Sequence, residues 1–204
     1  TQTPGENAQR YFAKYNKQKR TFEALTELIQ ETADDIQYLE SISNALDIAL
    51  SEADLAQIKE ELMQSGYVRR KHTKKKVKLT SKPMHYISSD GYDMYVGKNN
   101  LQNEELTFSF ANGNDWWFHA KGAPGSHVIV KSGGDELPDR TFEEAGRLAA
   151  YYSKNRGSDK VEIDYIQKKH VKKPNGAKPG FVVYYTNYSL VIDSDISNIK
   201  NVQD

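Results

Sequence analysis

Asp115-Trp116-Trp117-Phe118-His119-Ala120-Lys121, followed closely by Pro124-Gly125-Ser126-His127, reads as an extended strand running into a turn. Side chains of a strand alternate between its two faces. Asp115, Trp117, His119 and Lys121 therefore share one face, and Trp116, Phe118 and Ala120 share the other. The second set is core material. The first puts an acid, an indole, an imidazole and an ammonium in a row, which makes a poor core. It suits stacking on a base and gripping a phosphate. Aromatic side chains also favour pleated structure in general, so an ordinary strand is the competing reading. Pro124-Gly125 turns the chain. His127-Val128-Ile129-Val130-Lys131 can then pair back as a hairpin and bring His127 towards His119.

Outward from this hairpin, short elements alternate. On the N-terminal side, residues 84–88 and 92–96 flank Ser89-Asp90-Gly91, where Asp90-Gly91 is a strong hairpin signal. Tyr92, Met94 and Val96 then point inward. Gly97-Lys98-Asn99-Asn100 leads into a helix over about residues 101–111, with Asn99 or Asn100 as its cap. On the C-terminal side, Thr141 is expected to cap a helix reaching about Asn155. Its buried face carries Phe142, Ala145, Leu148, Ala149 and Tyr152. Residues 161–166 alternate as a strand, and residues 167–180 form a long Lys-rich loop. Residues 181–185 and 188–192 are expected to make a last hairpin around Thr186-Asn187. Hairpins and helices without a regular βαβ repeat predict an α+β domain with a mixed, largely antiparallel sheet and packed helices.

The chain before residue 67 is different. From Asn7 to about Ala49 there is neither Pro nor Gly, and Leu25, Leu28, Ile29, Thr32, Ile36, Leu39, Ile42 and Leu46 recur at helical spacing. A long helix with a narrow apolar seam pairs with another helix. The expectation is a coiled-coil segment, broken near Asp34-Asp35, whose partner helix lies upstream of Thr1. Ser51-Glu52-Ala53-Asp54 opens a shorter helix with a capping-box pattern, and Gly66 is a natural stop. The division expected is a helical coiled-coil segment over residues 1–66, a basic linker over 67–82 and an α+β domain over 83–204.

Composition narrows the function. The 204 residues carry 28 basic and 28 acidic side chains, but the charges are segregated. Residues 1–66 hold twelve acids against six bases, whereas residues 67–82 hold no acid and include Arg69, Arg70, Lys71, Lys74, Lys75, Lys76 and Lys78. There is no cysteine, so disulfides and thiolate metal sites are excluded, in keeping with a reducing compartment such as the cytoplasm. No stretch is long and apolar enough to cross a bilayer, and no apolar N-terminal run resembles a signal peptide.

Three segments carry possible chemistry. At Gly97-Lys98-Asn99-Asn100, free amides at a helix start attract anions, Gly allows close approach and Lys98 adds charge. An ordinary capped turn has the same pattern. Residues 168–180 contain Lys168, Lys169, Lys172, Lys173 and Lys178 and no acid, a nucleic-acid grip or a solubilising loop. Asp115, His119 and His127 supply three potential metal ligands, an open hydrolytic arrangement in principle. No His-Glu-x-x-His pattern or acidic cluster accompanies them, and nearby lysines oppose a cation. No Walker loop, dinucleotide fingerprint or Gly-x-Ser-x-Gly elbow is present. Ser126 beside His127 is not a catalytic pair, because neighbours on a strand face opposite ways.

Several motifs resemble one family. Tyr86-Ile87-Ser88-Ser89-Asp90-Gly91-Tyr92, Val96-Gly97-Lys98-Asn99-Asn100, Gln102-Asn103, Leu106-Thr107, Asp115-Trp116-Trp117-Phe118-His119 and Pro124-Gly125-Ser126-His127 resemble the NFACT-R domain. That domain is the C-terminal RNA-binding part of NFACT proteins. Asn7-Ala8-Gln9-Arg10-Tyr11-Phe12-Ala13-Lys14-Tyr15-Asn16-Lys17 resembles the start of the family's coiled-coil return helix. Tyr38-Leu39-Glu40-Ser41 and Ile58-Lys59-Glu60-Glu61-Leu62 continue it. The match covers nearly the whole chain. Ala123 stands where the family often has a second Pro, and Trp116 replaces a usual aliphatic.

The resemblance implies a part in ribosome-associated quality control. The family binds large ribosomal subunits obstructed by peptidyl-tRNA, recruits charged tRNA and in bacteria promotes alanine tailing of the stalled chain. The resemblance places the family's tRNA-selecting N-terminal domain outside this sequence. The implied signature surface is Lys98, Asn99, Asn100, Asp115, Trp117, His119, Lys121, Ser126 and His127. Lys131 and the loop lysines add attraction for rRNA and tRNA phosphate. No bond making by the protein is required, and no cofactor is expected. The family's older name points to a rival reading, a fibronectin-binding surface adhesin. Metal-dependent hydrolysis is a further alternative.

Overall fold

The computed structural model describes residues 3–69 and 81–202. Most of the expected basic linker, residues 70–80, lies outside the described residues. The chain divides into two units, Thr1–Leu39 and Glu40–Asp204. The first is formed by the greater part of one α-helix, α1 (Pro4–Ile48). The break expected at Asp34-Asp35 does not occur. Both aspartates are exposed, and Gln30 Nε2 donates to Asp34 Oδ1 at 2.8 Å across one turn. Exposed Asp in a helix therefore costs only the difference in propensity, about 0.7 kcal/mol or less per residue. Tyr11, Phe12, Tyr15, Phe22, Leu25, Leu28 and Ile29 are all exposed on this unit.

The second unit begins with the last turns of α1, where Ile42, Ala45 and Ile48 are buried. Asn44 Nδ2 donates to the carbonyl of Tyr152 at 3.3 Å. Next comes α2 (Glu52–Gln64), capped as expected. Ser51 accepts from the Asp54 amide, and the Asp54 carboxylate accepts from the Ser51 amide. Gly66 takes φ +82°, a conformation that favours glycine, just where the helix stops.

Among the described residues the sheet has seven strands. β1 (Met84–Ile87) and β2 (Asp93–Val96) form the Asp90-Gly91 hairpin, and β3 (Trp116–Ala120) and β4 (Val128–Val130) form the second. β5 (Val161–Gln167), β6 (Tyr188–Ile192) and β7 (Lys200–Asn201) complete it in the order β6-β5-β3-β4-β2-β1-β7. Every pairing is antiparallel. α3 (Asn100–Glu105) runs into a π-helical turn, Leu106–Phe110, and α4 (Asp139–Tyr151) packs on one face of the sheet. This α+β architecture agrees with the sequence reading.

Alternation gives the sheet two apolar layers. Phe118, Ala120, Val128, Val130, Met94 and Val96 pack with Ala145, Leu148 and Ala149 of α4. On the opposite face, Trp117, Ile129 and Ile166 pack with Leu106 and Val171. Each fully buried large aliphatic or aromatic side chain contributes about 1.5–3 kcal/mol.

Three local expectations are corrected. Thr141 does not cap α4. Pro138 stands at the cap position, and Thr141 sits inside the helix with its Oγ1 2.8 Å from Asp90 Oδ2. Phe181–Tyr185 does not pair with Tyr188–Ile192, because β6 spends its pairing on β5, from Tyr165↔Tyr188 to Val161↔Ile192. The 181–185 segment lies instead against the Trp117 layer. Two backbone bonds of 2.9 Å between Lys172 and Val183 hold it there. Finally, α4 ends at Tyr151, short of Asn155.

Candidate nucleic-acid interface

Gly97-Lys98-Asn99-Asn100 is turned into the protein. A Cβ on Gly97 would lie 2.2 Å from Asn103 Oδ1, so only glycine fits there. Asn99 caps α3 by accepting the Gln102 amide at 3.0 Å, and Gln102 Oε1 accepts the Lys98 amide at 3.0 Å. Two amides at this helix start are thus taken by side chains of the same segment, and the Gly97 amide donates to the His127 carbonyl at 3.2 Å. The remaining polar groups reach α2 and the end of α1. Asn99 Nδ2 donates to Gln57 Oε1 at 2.8 Å, while Asn100 Nδ2 donates to Ser41 Oγ at 2.7 Å and Glu61 Oε1 at 2.8 Å. Lys98 Nζ lies 3.2 Å from Asp54 Oδ1. Burial works to raise the Asp54 carboxyl, but Ser81, the Leu50 and Ser51 amides and Lys98 outweigh it and hold it below the usual range. These signature residues join α2 to the sheet domain.

Trp117 shares a face with Asp115, His119 and Lys121 as expected, but while Lys121 stays exposed the indole is covered. Trp117 is 0% exposed. Tyr184 packs over it with ring centroids 4.9 Å apart, His119 lies nearly parallel at 5.6 Å and His127 meets it edge-on at 5.1 Å. The expectation of an open stacking ring at Trp117 is therefore corrected. Its indole Nε1 is buried and has no hydrogen-bond partner among the described residues. His119 and His127 do meet, with centroids 5.5 Å apart. Burial pushes His119 down to about 4, against the opposing pull of the Gly125 backbone and Asp164. Burial, then the neighbouring His119, pushes His127 well below its ordinary value. Both rings are neutral at neutral pH. His127 Nδ1 lies 2.8 Å from Thr107 Oγ1, and Ser126 is buried with its amide donating to the Tyr152 carbonyl at 3.0 Å.

Asp115 is buried and works as a hub. Its carboxylate accepts from Lys131 Nζ, from the Asn112 amide at 2.7 Å and from the Ser132 amide at 3.2 Å. Its backbone carbonyl accepts the Lys168 amide at 2.8 Å. Asp115 is thus committed to lysine, away from the two histidines. Among the described residues no group of three His, Cys, Asp or Glu side chains is arranged to hold a metal ion. Lys121 sits beyond the other end of β3, paired with Glu162.

The Lys-rich loop is anchored. Lys169 N donates to Gly113 O at 2.9 Å, Lys173 Nζ reaches Glu104 Oε2 at 2.7 Å and Lys178 Nζ reaches the Tyr67 hydroxyl at 2.8 Å. Lys169, Lys172 and Lys173 are exposed, and Lys168 is partly so. The fold therefore brings Lys131, Lys168 and Lys169 together through the Asp115 turn, and it leaves Lys98 and Lys121 elsewhere.

Sequence reasoning missed two aromatic neighbours of these lysines, Phe110 beside Lys131 and Phe108 beside Lys168, and the rings behind Phe110. His85 stacks on Tyr95 (4.5 Å, 3°), and Tyr95 meets Phe110 edge-on at 4.7 Å. Phe108 lies beneath Lys168, 5.9 Å from Nζ to ring centroid. The signal for Tyr95 was present, since the alternation that sends Met94 and Val96 inward sends Tyr95 to the other face.

Comparison with known proteins agrees with this architecture. Residues 1–81 match the family model for NFACT N-terminal and middle domains, and residues 82–186 match that for the NFACT protein RNA binding domain. The chain is 45% identical to the Rqc2 homolog RqcH of Streptococcus pneumoniae over 98% of its own length and 36% of that protein. It is 42% identical to the Rqc2 homolog RqcH of Bacillus subtilis over 97% of the chain and 35% of that protein. The chain thus spans about a third of these relatives. A solved C-terminal part of the fibronectin/fibrinogen-binding protein from Streptococcus suis matches with a TM-score of 0.86 at 44% identity. The match covers 96% of this chain and 78% of that one. With both family models in sequence order and the sheet domain reproduced in a solved relative, the chain belongs to the NFACT family.

Proposed function

We propose that residues 40–204 are the RNA- and ribosome-binding end of a cytoplasmic ribosome quality-control factor. In this reading the protein binds obstructed large ribosomal subunits and tRNA and supports C-terminal alanine tailing of stalled chains. It positions RNA and makes or breaks no bond itself. The observation that carries the reading is the Lys168–Lys173 segment, whose lysines stand at the surface on backbone bonded to the Gly113–Asp115 turn. An anchored row of ammonium groups loses less freedom on meeting phosphate than a free tether does, and it gains affinity by counterion release. The names of the relatives, a homologue of Rqc2 and an RNA-binding domain, favour the same partner class. Among the described residues no helix is long and apolar enough to cross a membrane.

The test is charge reversal of Lys172 and Lys173 with tRNA as ligand. Affinity should fall, and the dependence of log affinity on log salt should become shallower by about 0.7–0.9 for each phosphate no longer neutralised. Unchanged affinity and slope would remove the loop from the interface.

A second reading is binding to fibronectin or fibrinogen, favoured by the name of the solved relative. If the matrix protein is the partner, its binding should resist salt that releases RNA.

A further inference from the structure

We infer that Phe110, with Tyr95 packed against it and Lys131 over its ring, and Phe108, with Lys168 over its ring, form a binding site for an unpaired nucleotide of RNA. This deepens the RNA reading and rests on it. The site is distinct from the signature residues Trp117, Asn99 and Asn100, which the fold encloses.

Three observations converge. First, three rings in series, His85, Tyr95 and Phe110, lead from strands β1 and β2 to the surface, where Phe110 is 41% exposed. A ring braced from behind loses little freedom when a base stacks on it. Second, each phenylalanine has its own ammonium. Lys131 Nζ lies 4.8 Å from the Phe110 centroid and Lys168 Nζ lies 5.9 Å from that of Phe108. Third, both cations are placed by Asp115, Lys131 through the carboxylate and Lys168 through the backbone carbonyl. The neighbouring Gly113 carbonyl fixes Lys169 by its amide at 2.9 Å. The nearby Asp93 carboxylate is engaged by His85 at 2.7 Å.

The π-helical turn contributes. Its widened closure, Ala111 N to Leu106 O at 2.9 Å, ends the helix and releases the chain at Phe110. Such turns often occur at functional positions. Ring faces interleaved with lysines fit a nucleotide whose base stacks and whose phosphate meets an ammonium. Stacking reads no base edge, so the site accepts any base. It requires the base to be unpaired, since a duplex keeps its rings stacked inside. The RNA-binding role of the Asp115 motif is then indirect. Asp115 is a positioning residue that sets two lysines beside a ring.

The experiment measures binding of the folded chain to a single-stranded oligoadenylate and to an RNA duplex of equal length. Phe110→Ala should weaken the single-strand complex by about tenfold and leave the duplex complex unchanged, and Phe110→Trp should retain single-strand affinity. Lys168→Gln, which leaves the Asp115–Lys131 pair intact, should weaken both and reduce the salt slope by about one phosphate. Wild-type RNA binding that ignores Phe110→Ala overturns this site while leaving the lysine loop in place. A wild-type chain that binds neither probe at low salt overturns the RNA reading beneath it as well.

Discussion

Replacing Trp117 with alanine separates a core indole from an RNA-stacking indole. The side chain is 0% exposed and packs with Leu106, Ile129, Ile166 and Val171 beneath Tyr184. Truncating a buried Trp to Ala typically costs about 3–5 kcal/mol. The indole N–H, however, is buried without a partner among the described residues. An unsatisfied buried donor itself costs about 1–3 kcal/mol, so its removal offsets part of the loss. The net expectation is destabilisation near the low end, about 3 kcal/mol. Trp117→Phe keeps a ring and drops the donor but leaves a smaller cavity, so it should cost clearly less than the alanine variant. Urea unfolding followed by far-UV circular dichroism reads both variants. RNA affinity is measured alongside, under conditions where each is folded, and should match the wild type. A Trp117→Ala variant that keeps its unfolding midpoint and binds RNA tenfold more weakly would refute this, since that is the behaviour of an exposed stacking platform.

Asn100→Ala withdraws a donor from the fully buried Glu61 carboxylate and from Ser41. It should destabilise the chain by about 2 kcal/mol, the scale of a hydrogen bond to a charged group, with RNA affinity of the folded protein unchanged. Reduced affinity at full stability would return this residue to the interface. Acid should also weaken the fold through the two histidines. Unfolded histidine takes up a proton near pH 6.5, whereas folded His119 does so only near 4 and His127 also resists protonation. The unfolded state therefore binds more protons in this interval, and stability present above about pH 6.5 declines as pH falls towards about 4. The urea midpoint measured across that range checks this, and His119→Gln should flatten the decline. A wild-type midpoint that does not move with pH would contradict the neutral pair.

Local rules carried the sequence reading a long way. The Asp90-Gly91 hairpin, the Ser51 capping box, the stop at Gly66 and the approach of His119 to His127 all follow from turn chemistry or strand alternation, and all appear in the structure. Alternation also assigned Trp117 and Phe118 to opposite faces correctly. It could not say what covers each face. A row of Asp115, Trp117, His119 and Lys121 looked like an open surface because its polar partners come from elsewhere. Lys131 satisfies Asp115, Thr107 meets His127, and Tyr184 closes over the indole. The same gap explains the misplaced hairpin at residues 181–192. Within residues 181–185, Val182 and Tyr184 seal a layer, and no local signal distinguishes that alternation from pairing with β6. The Asn99-Asn100 cap was legible, but its commitment to Gln57, Ser41 and Glu61 depends on partners some forty or more residues away in the sequence. Phe110 was hidden inside a predicted regular helix, since a π-helical turn has no clear sequence mark.

Whether this end of the protein is an RNA-binding module is decided by equilibrium binding of the folded chain to tRNA and to purified large ribosomal subunits across a salt series. Binding at low salt is expected, with a linear fall of log affinity against log salt and a slope of about −3 for a handful of lysine–phosphate pairs. Failure to bind either RNA partner at low ionic strength, in protein shown to be folded, would contradict it.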